Sequence, residues 1–272
     1  MASSAIISLM TNASQAASDV DSLQRGLEIL RLFHPPQTSL SLGEISIRLG
    51  IPRATAQRLA ETLVDQGFLR HGPAVDRYQP DASCFLLGHA LLVSNAIGRI
   101  ARPILEETAE QLGGHLVLGL RDRISMLCLG YAAARGATPI NLLGPGFRVP
   151  LTATALGRAW LWSQPASVQG ELIQRTKDDA SDQATRTIGG LYRAFQELEE
   201  EGFCISVGDW LRDVAAVGTV VELGSGRSFG LSYKVAGPAS RKELKSRIGV
   251  PLMNVAARIR DAVARQAIDD PR

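Results

Sequence analysis

The chain has 272 residues, of which 45% are hydrophobic, and a formal net charge of only +2. At about 150 residues per domain, this length allows two packed domains. The near-neutral charge excludes a diffuse positive field, so any affinity for nucleic acid must come from individually placed arginines. No apolar run reaches the roughly 20 residues of a membrane span.

The first 18 residues are rich in Ser and Ala and contain no Lys or Arg. A secretory signal starts with a basic segment, so residues 1–18 are predicted to be a disordered tail. The three cysteines lie too far apart in sequence for a zinc or redox motif. We therefore expect buried, reduced thiols in a cytoplasmic protein, with a second short tail at 266–272.

The segment from Ser41 to Leu69 has the pattern of two short helices joined by a tight turn. Ser41 followed three residues later by Glu44 has the spacing of a capping box. Gly50 stands where a helix commonly ends in the left-handed conformation. Pro52 suits the start of the next helix, because its missing N–H needs no partner there.

The second of these helices combines an apolar back with a face of arginine and short polar residues. Such a helix fits the major groove of DNA, where Arg bonds guanine and Gln bonds adenine. From spacing alone, an ordinary amphipathic helix pair with a solvated outer face explains the pattern equally well. The predicted DNA-binding residues on this helix are Arg53, Ala54, Thr55, Gln57 and Arg58.

The flanking segments favour the DNA-binding interpretation. Two strand-like runs around a Gly-Pro turn predict a hairpin, or wing, that places Arg77 beside the second helix. An amphipathic helix from Asp21 to His34 precedes the pair. Between Arg48 and Arg77 there are five arginines and three acidic residues. Three helices and a hairpin predict a winged helix-turn-helix domain over residues 19–80.

A helix is predicted at 81–99, between the two halves of the chain. We expect it to be a linker and a dimer contact, because a DNA-binding protein of this size normally works as a symmetric dimer. From His115 onward, apolar alternation and turn residues predict hairpins in an antiparallel sheet. With helices packed on that sheet, residues 100–265 are predicted to form an α+β domain.

Some finer predictions concern single elements of the second half. A helix is expected to open at Arg102-Pro103, and a strand is expected between residue 138 and the turn at Gly144. The polar run from Lys177 to Arg186 is typical of a loop.

Motifs of enzyme chemistry are missing from the sequence. The four histidines have no metal-ligand spacing, and there is no Gly-x-Ser-x-Gly nucleophile elbow and no phosphate-binding loop. We therefore predict no catalytic residue, no metal and no cofactor. The alternative is a stand-alone metabolite-binding or enzymatic α+β domain, with N-terminal helices that serve only oligomerisation.

Six stretches carry a resemblance to a known family. They are SLQRGLEILRLF, SLGEISIRLGIPRATAQRLAETLVDQGFL, Tyr78-Gln79-Pro80, VPLTATALGRAWL, LYRAFQELEEEGF and the terminal helix after Ala-Gly-Pro. In this order, from Asp19 to Val263, the chain resembles the IclR family of bacterial transcriptional regulators. The resemblance implies a winged helix-turn-helix, a linker helix and a GAF-like effector domain. It also implies homodimers or tetramers that bind double-stranded operator DNA and a small-molecule effector.

The resemblance places an effector pocket near Thr152–Gly157 and after Gly202. A helix start offers N–H groups without internal partners, which attract a carboxylate, although capping by a threonine is an ordinary alternative. The opposite wall is predicted to hold Asp209 and Trp210. The Asp209 carboxylate is expected to accept a hydrogen bond from the ligand and to repel a dianion, and Trp210 contributes an indole. We therefore expect a small organic acid with a hydroxyl or an aromatic ring. The predicted effector-binding residues are Thr154, Ala155, Leu156, Gly157, Asp209 and Trp210.

Two runs near this predicted pocket, at 205–210 and 215–218, depart from the sequences typical of the family. The class of ligand therefore cannot be transferred from the resemblance.

Overall fold

The computed structural model describes residues 21–141, 143–178, 183–224 and 226–269. The chain divides into two compact units between Val93 and Ser94. The tail predicted at 1–18 lies outside the described residues. The tail predicted at 266–272 was wrong for residues 266–269, which continue the last helix.

The first unit contains the predicted helices and hairpin. Its helices are α1 (21–31), α2 (Leu42–Leu49), α3 (Arg53–Asp65) and α4 (Ala82–Ser94). Its strands are β1 (Leu40–Ser41), β2 (Leu69–His71) and β3 (Arg77–Pro80), which form an antiparallel sheet in the order β1-β3-β2. The predicted winged helix-turn-helix architecture is confirmed.

Local chemistry sets the helix-turn-helix, as the sequence predicts. The Ser41 hydroxyl accepts a hydrogen bond from the Glu44 N–H at 3.2 Å, and the Glu44 carboxylate accepts one from the Ser41 N–H at 2.7 Å. Gly50 ends α2 with φ of 62°, and Pro52 precedes the first residue of α3. Apolar residues from the helices and strands then close one core: Ile29, Leu40, Leu42, Ile45, Ala56, Leu59, Ala60, Leu69 and Tyr78.

The second unit is a six-stranded antiparallel sheet in the order β6-β5-β4-β9-β8-β7. Its strands are β4 (His115–Asp122), β5 (Ser125–Ala133), β6 (Arg148–Pro150), β7 (Cys204–Val207), β8 (Val214–Glu222) and β9 (Ser228–Ala236). Its helices are α5 (Ala96–Leu112), α6 (Ala155–Trp162), α7 (Ala166–Asp178), α8 (Gln183–Glu201), α9 (Arg241–Leu244) and α10 (Val250–Asp269), with a π-helical turn at Lys245–Gly249 before α10. The predicted α+β class is confirmed.

Alternating residues of the strands serve two different cores. Leu116 and Leu231 face one core together with α5 and α10, whereas Val117 faces the other together with α6. On β9, Ser232 and Lys234 alternate with Leu231 and therefore lie on the α6 face. The two buried polar side chains of β9 thus share the α6 face.

Glycines allow α6 to lie directly on the sheet. A Cβ atom on Gly218 would lie 2.2 Å from the Ala155 carbonyl oxygen, and one on Gly230 would lie 2.5 Å from that of Leu156. Any larger residue at these two strand positions would lift the start of α6 away from the sheet.

Each edge strand of this sheet carries a feature that opposes the addition of a further strand. On β7, the Ile205 N–H donates to the Glu197 carboxylate at 2.9 Å, and the Ile205 carbonyl accepts from Arg241 at 2.9 Å. Glu197 and Arg241 also form an ion pair with each other. At the other edge, β6 has only three residues and ends at Pro150.

Three predictions on single elements were wrong. Pro103 does not open a helix but lies inside α5, which starts at Ala96. Residues 138–141 are not in a strand. Of the loop predicted at 177–186, residues 177–178 end α7 and α8 starts at Gln183. The single helix predicted at 81–99 is divided into α4 and the start of α5, which are separated at Asn95.

Among the described helices, none is by itself long and apolar enough to cross a membrane; α4 and α5 meet that test only as a bent pair.

Candidate DNA interface and effector site

Helix α3 presents the residues predicted to bind DNA. Arg53, Ala54, Gln57 and Arg58 are exposed, and Thr55 is half-buried. Within the described part of the chain, the side chains of Gln57 and Arg58 have no protein partner for a hydrogen bond or ion pair. Both are therefore available to the edge of a base pair.

The wing is tied to the start of α3. Arg53 donates to the Asp76 carboxylate at 2.6 Å, with both side chains more than half exposed. Asp76 has a φ of 59° in the turn between β2 and β3. The tip of that turn holds Val75, which is 92% exposed. The ion pair holds the wing beside the N-terminus of the candidate recognition helix.

Arg77 lies in the wing but bonds inside the domain. Its guanidinium donates to the Ser39 hydroxyl at 3.0 Å and to the Ser39 carbonyl at 2.8 Å, and it lies 3.5 Å from the Glu44 carboxylate. Arg77 thus joins β3 to the capping box of α2. The Arg77 guanidinium therefore already has partners inside the domain, in contrast to that of Arg58.

Helix α4 buries none of its residues within the single chain. Six large apolar side chains on it are exposed: Phe85, Leu86, Leu87, Leu91, Leu92 and Val93. Ile97, which lies in the segment 81–99 predicted to be a linker and dimer contact, is instead buried in the core of the second unit. A long apolar surface of this kind marks an interaction site.

In the second unit, the start of α6 is closely packed. The Thr154 hydroxyl donates to the Pro150 carbonyl at 2.8 Å and accepts from the Gly157 N–H at 3.2 Å, which caps the helix. Ala155 and Leu156 are fully buried, and a Cβ atom on Gly157 would lie 2.1 Å from the Leu151 carbonyl oxygen. The small residues of this segment serve the close contact between helix and sheet.

The loop after β7 is attached to α6 by an ion pair. The guanidinium of Arg158 is 1% exposed, donates to the Thr152 carbonyl at 2.7 Å and also donates to the carboxylate of Asp209. Asp209 therefore lies against α6, and its side chain is 32% exposed. Its charge is balanced by Arg158, so the repulsion that we predicted between Asp209 and a dianionic ligand is reduced.

Replacing Asp209 by alanine should lower the free energy of unfolding, because the buried Arg158 would lose its carboxylate. We expect about 2 kcal/mol, below the 3–5 kcal/mol typical of a fully buried pair, since Asp209 is partly solvated. Urea denaturation measures this effect, with Asp213→Ala as a control in the same loop. Equal midpoints for the two variants would contradict a structural role for the pair.

Trp210, the next residue, covers a buried lysine. Lys234 Nζ lies 5.6 Å from the centre of the indole, and the lysine is 2% exposed. Burial lowers the pKa of Lys234 to about 8, and the neighbouring Cys128 opposes this shift. Ser232, two residues before Lys234, is 0% exposed, and its hydroxyl has no hydrogen-bond partner within the described residues.

His115 pairs with Lys234 across β4 and β9. Its Nε2 lies 2.9 Å from the Thr138 carbonyl oxygen, which only accepts, so Nε2 carries the proton. In the neutral ring Nδ1 is then the acceptor for the Tyr131 hydroxyl at 2.9 Å. The imidazole is satisfied by these two bonds and gives Lys234 no counter-charge.

Sequence reasoning missed Arg158, Ser232 and Lys234. A signal existed for each of them. Arg158 is a lone charge in an apolar helix, and Ser232 and Lys234 alternate with apolar residues in a strand of a predicted hairpin. Among the described residues, no three His, Cys, Asp or Glu side chains come together as a metal site.

Comparison with known sequences finds a matching family model for each half of the chain. The family model described as the IclR helix-turn-helix domain matches residues 22–73, and the one described as the bacterial transcriptional regulator IclR C-terminal domain matches residues 89–261. The chain belongs to the IclR family. IclR-family proteins are DNA-binding transcriptional regulators and not enzymes, so the alternative of an enzymatic domain is dropped.

Individual relatives extend over most of the chain. The HTH-type transcriptional regulator TsaQ1/TsaQ2 of Comamonas testosteroni is 30% identical over 83% of this chain and 81% of its own length. The crystal structure of an IclR-family regulator from Brucella abortus, also 30% identical, has a TM-score of 0.79 and covers 89% of this chain and 92% of its own.

A third protein shares the fold at lower identity. It is an IclR homologue from Microbacterium hydrocarbonoxydans crystallised with 4-hydroxybenzoate. It is 17% identical, has a TM-score of 0.69 and covers 90% of this chain and 99% of its own.

Proposed function

We propose that this IclR-family regulator is a cytoplasmic homodimer or tetramer that binds operator DNA and responds to a small organic acid. The observation that carries the proposal is the exposed face of α3, with Gln57 and Arg58 free to reach bases beside a tethered wing. We assign DNA binding to residues 19–80, the link between the halves to 81–99 and effector binding to 100–265.

In the proposed complex, α3 enters the major groove and its residues 53–58 meet base edges and phosphates. Gln57 and Arg58 are the candidates for base recognition, because bidentate bonds from Gln and Arg distinguish adenine and guanine. Arg53, Ala54 and Thr55 approach at the helix start. Arg77 contributes from the wing, where its bonds to Ser39 limit it to a supporting position.

The apolar face of α4 supports dimerisation. At 1.5 Å per residue, its 13 residues extend about 20 Å, and none is buried within one chain. A second copy of α4 offers a surface of the same composition, and a two-fold contact is the commonest way to cover such a face.

The effector site is proposed between the start of α6 and the loop after β7. The residues assigned to it are Thr154, Ala155, Leu156, Gly157, Asp209 and Trp210. The Arg158–Asp209 pair brings these two segments together. The homologue with bound 4-hydroxybenzoate supports an organic acid as a class of ligand and suggests the first compound to test.

Mapping of bound sites across the genome, followed by footprinting of the purified protein, tests this function. We expect two half-sites whose centres are about 34 Å apart, or a multiple of that distance, because two recognition helices must lie on one face of the duplex. Sedimentation should give a dimer or tetramer at micromolar concentration. A monomer that protects one half-site would contradict the proposal, and so would a protein that binds no specific DNA.

A further inference from the structure

Two polar groups on the α6 face of β9 are buried without a partner that matches their chemistry. Ser232 is fully buried, and its hydroxyl has no hydrogen-bond partner among the described residues. Lys234 is 2% exposed, and across those same residues its ammonium contacts an indole face but no carboxylate. Buried polar groups are almost always hydrogen-bonded, and buried charges are almost always paired, so this pair calls for an explanation.

The groups around Lys234 do not supply an anion. On the neighbouring strands, Cys128 is a buried thiol whose pKa is raised by burial, and His115 is occupied by Tyr131 and the Thr138 carbonyl. From the loop after β7, the Asp209 carboxylate is bonded to Arg158. The lysine therefore remains a cation in need of a counter-ion.

We infer that Lys234 and Ser232 bind the carboxylate of an aromatic monocarboxylic acid, whose ring packs against Trp210. This inference rests on the proposed function and assigns a ligand class to the same sensor domain. Lys234 determines the specificity by its charge, and Ser232 adds a neutral hydrogen bond to the same carboxylate.

The surroundings select a ring and a single negative charge. The apolar cluster on the α6 face is rich in aromatic side chains, which favour a flat apolar body over a short aliphatic chain: Tyr131, Phe147, Trp160, Phe195 and Trp210. The second buried cation on this face, Arg158, is committed to Asp209. A dianion would therefore leave one of its charges without a matching cation.

The indole of Trp210 has a defined part in this arrangement. The face of an aromatic ring carries partial negative charge, so it stabilises an ammonium to a limited extent. A carboxylate bonded to the ammonium is stronger, because its charge is full and its hydrogen bond is charge-assisted. Binding should therefore shift Trp210 relative to Lys234 and change its fluorescence.

The test compares 4-hydroxybenzoate with its neutral analogue 4-hydroxybenzamide on the purified full-length protein, by calorimetry and Trp fluorescence. We expect the acid to bind and the amide to bind roughly 10- to 100-fold more weakly, the range for loss of a hydrogen bond to a charged group. Lys234→Met should lose affinity for the acid by a similar factor, and Ser232→Ala by less. The matched control is Lys242→Met, which removes the same charge from an exposed position.

The pH dependence adds a readout that packing alone would not produce. While the ligand carboxylate is ionised, affinity for the acid should be constant up to about pH 8 and fall above it as Lys234 loses its proton. A Trp210→Phe variant should lose the fluorescence change while calorimetry still detects the acid.

Several results would overturn the inference: equal binding of acid and amide, equal affinity in the Lys234 and Lys242 variants, or no binding of the acid at millimolar concentration. The operator shift by the wild type without ligand is measured in parallel. Its absence would contradict the proposed function itself. A normal shift combined with any of the three results would reject only the ligand assignment.

Discussion

Replacing Arg58 by alanine should weaken operator binding by about 1–3 kcal/mol at each half-site, or about 2–6 kcal/mol for a dimer. The side chain is exposed on α3 and bonds to no other described side chain, so its full donor set is available to DNA. Because the side chain is exposed, the fold should be unaffected. Mobility-shift titration at fixed salt measures the loss, and thermal unfolding verifies the fold.

The matched control is Arg193→Ala, which removes an exposed arginine from α8 in the other unit. It changes the net charge equally but should leave operator affinity unchanged. An Arg58→Ala protein that binds its operator as tightly as the Arg193→Ala protein would remove Arg58 from the interface. A loss of affinity that is uniform across mutated operators would make Arg58 a phosphate contact instead of a base contact.

Replacing Lys234 by methionine should raise the free energy of unfolding at pH 7 by up to about 3 kcal/mol, the equivalent of lowering its pKa from 10.5 to about 8. In the folded protein, burial opposes the charged form. Below pH 8, Lys234 is protonated in both the folded and the unfolded state. Only in the folded state is its charge removed from water, so the folded state carries the full cost of desolvation. Methionine has a similar length and no charge to desolvate.

The sign of the pH dependence follows from the lowered pKa. Between pH 8 and 10.5 the folded wild type loses this proton while the unfolded chain keeps it, so stability of the wild type rises through that window. The advantage of Lys234→Met should therefore shrink toward pH 10. Denaturant midpoints at pH 7 and 10 measure it, and Lys242→Met should match the wild type at both. If the Lys234→Met protein were less stable than the wild type at pH 7, burial of the charged lysine would not be destabilising, and the prediction would be wrong.

Local chemistry explains what the sequence could predict. The capping box of Ser41 and Glu44 and the left-handed Gly50 depend on neighbours within a few residues, and both are present. Strand alternation likewise predicted the hairpins of the second unit. The prediction at Pro103 was wrong because a proline is common at the start of a helix. Here α5 continues past Pro103, since the helix buries Ile97, Ala101 and Leu105.

The content of the candidate effector site depended on long-range packing. Asp209 was predicted as a ligand contact, but only the fold brings Arg158 to it across 51 residues of chain. Lys234 became notable only once the strand order placed it under Trp210. Pattern reasoning ranks residues by type and spacing, and it cannot tell which polar residue of a strand is sealed by a loop from elsewhere.

The edge strands of the six-stranded sheet bear on how the protein can associate. An open edge strand is a template on which further strands add, and repeated addition produces fibrils. Here Glu197 and Arg241 already occupy the backbone groups of Ile205, and β6 ends in proline at the opposite edge. Both features oppose strand addition to the sheet of the second unit, which favours association between copies through helical surfaces such as the apolar face of α4.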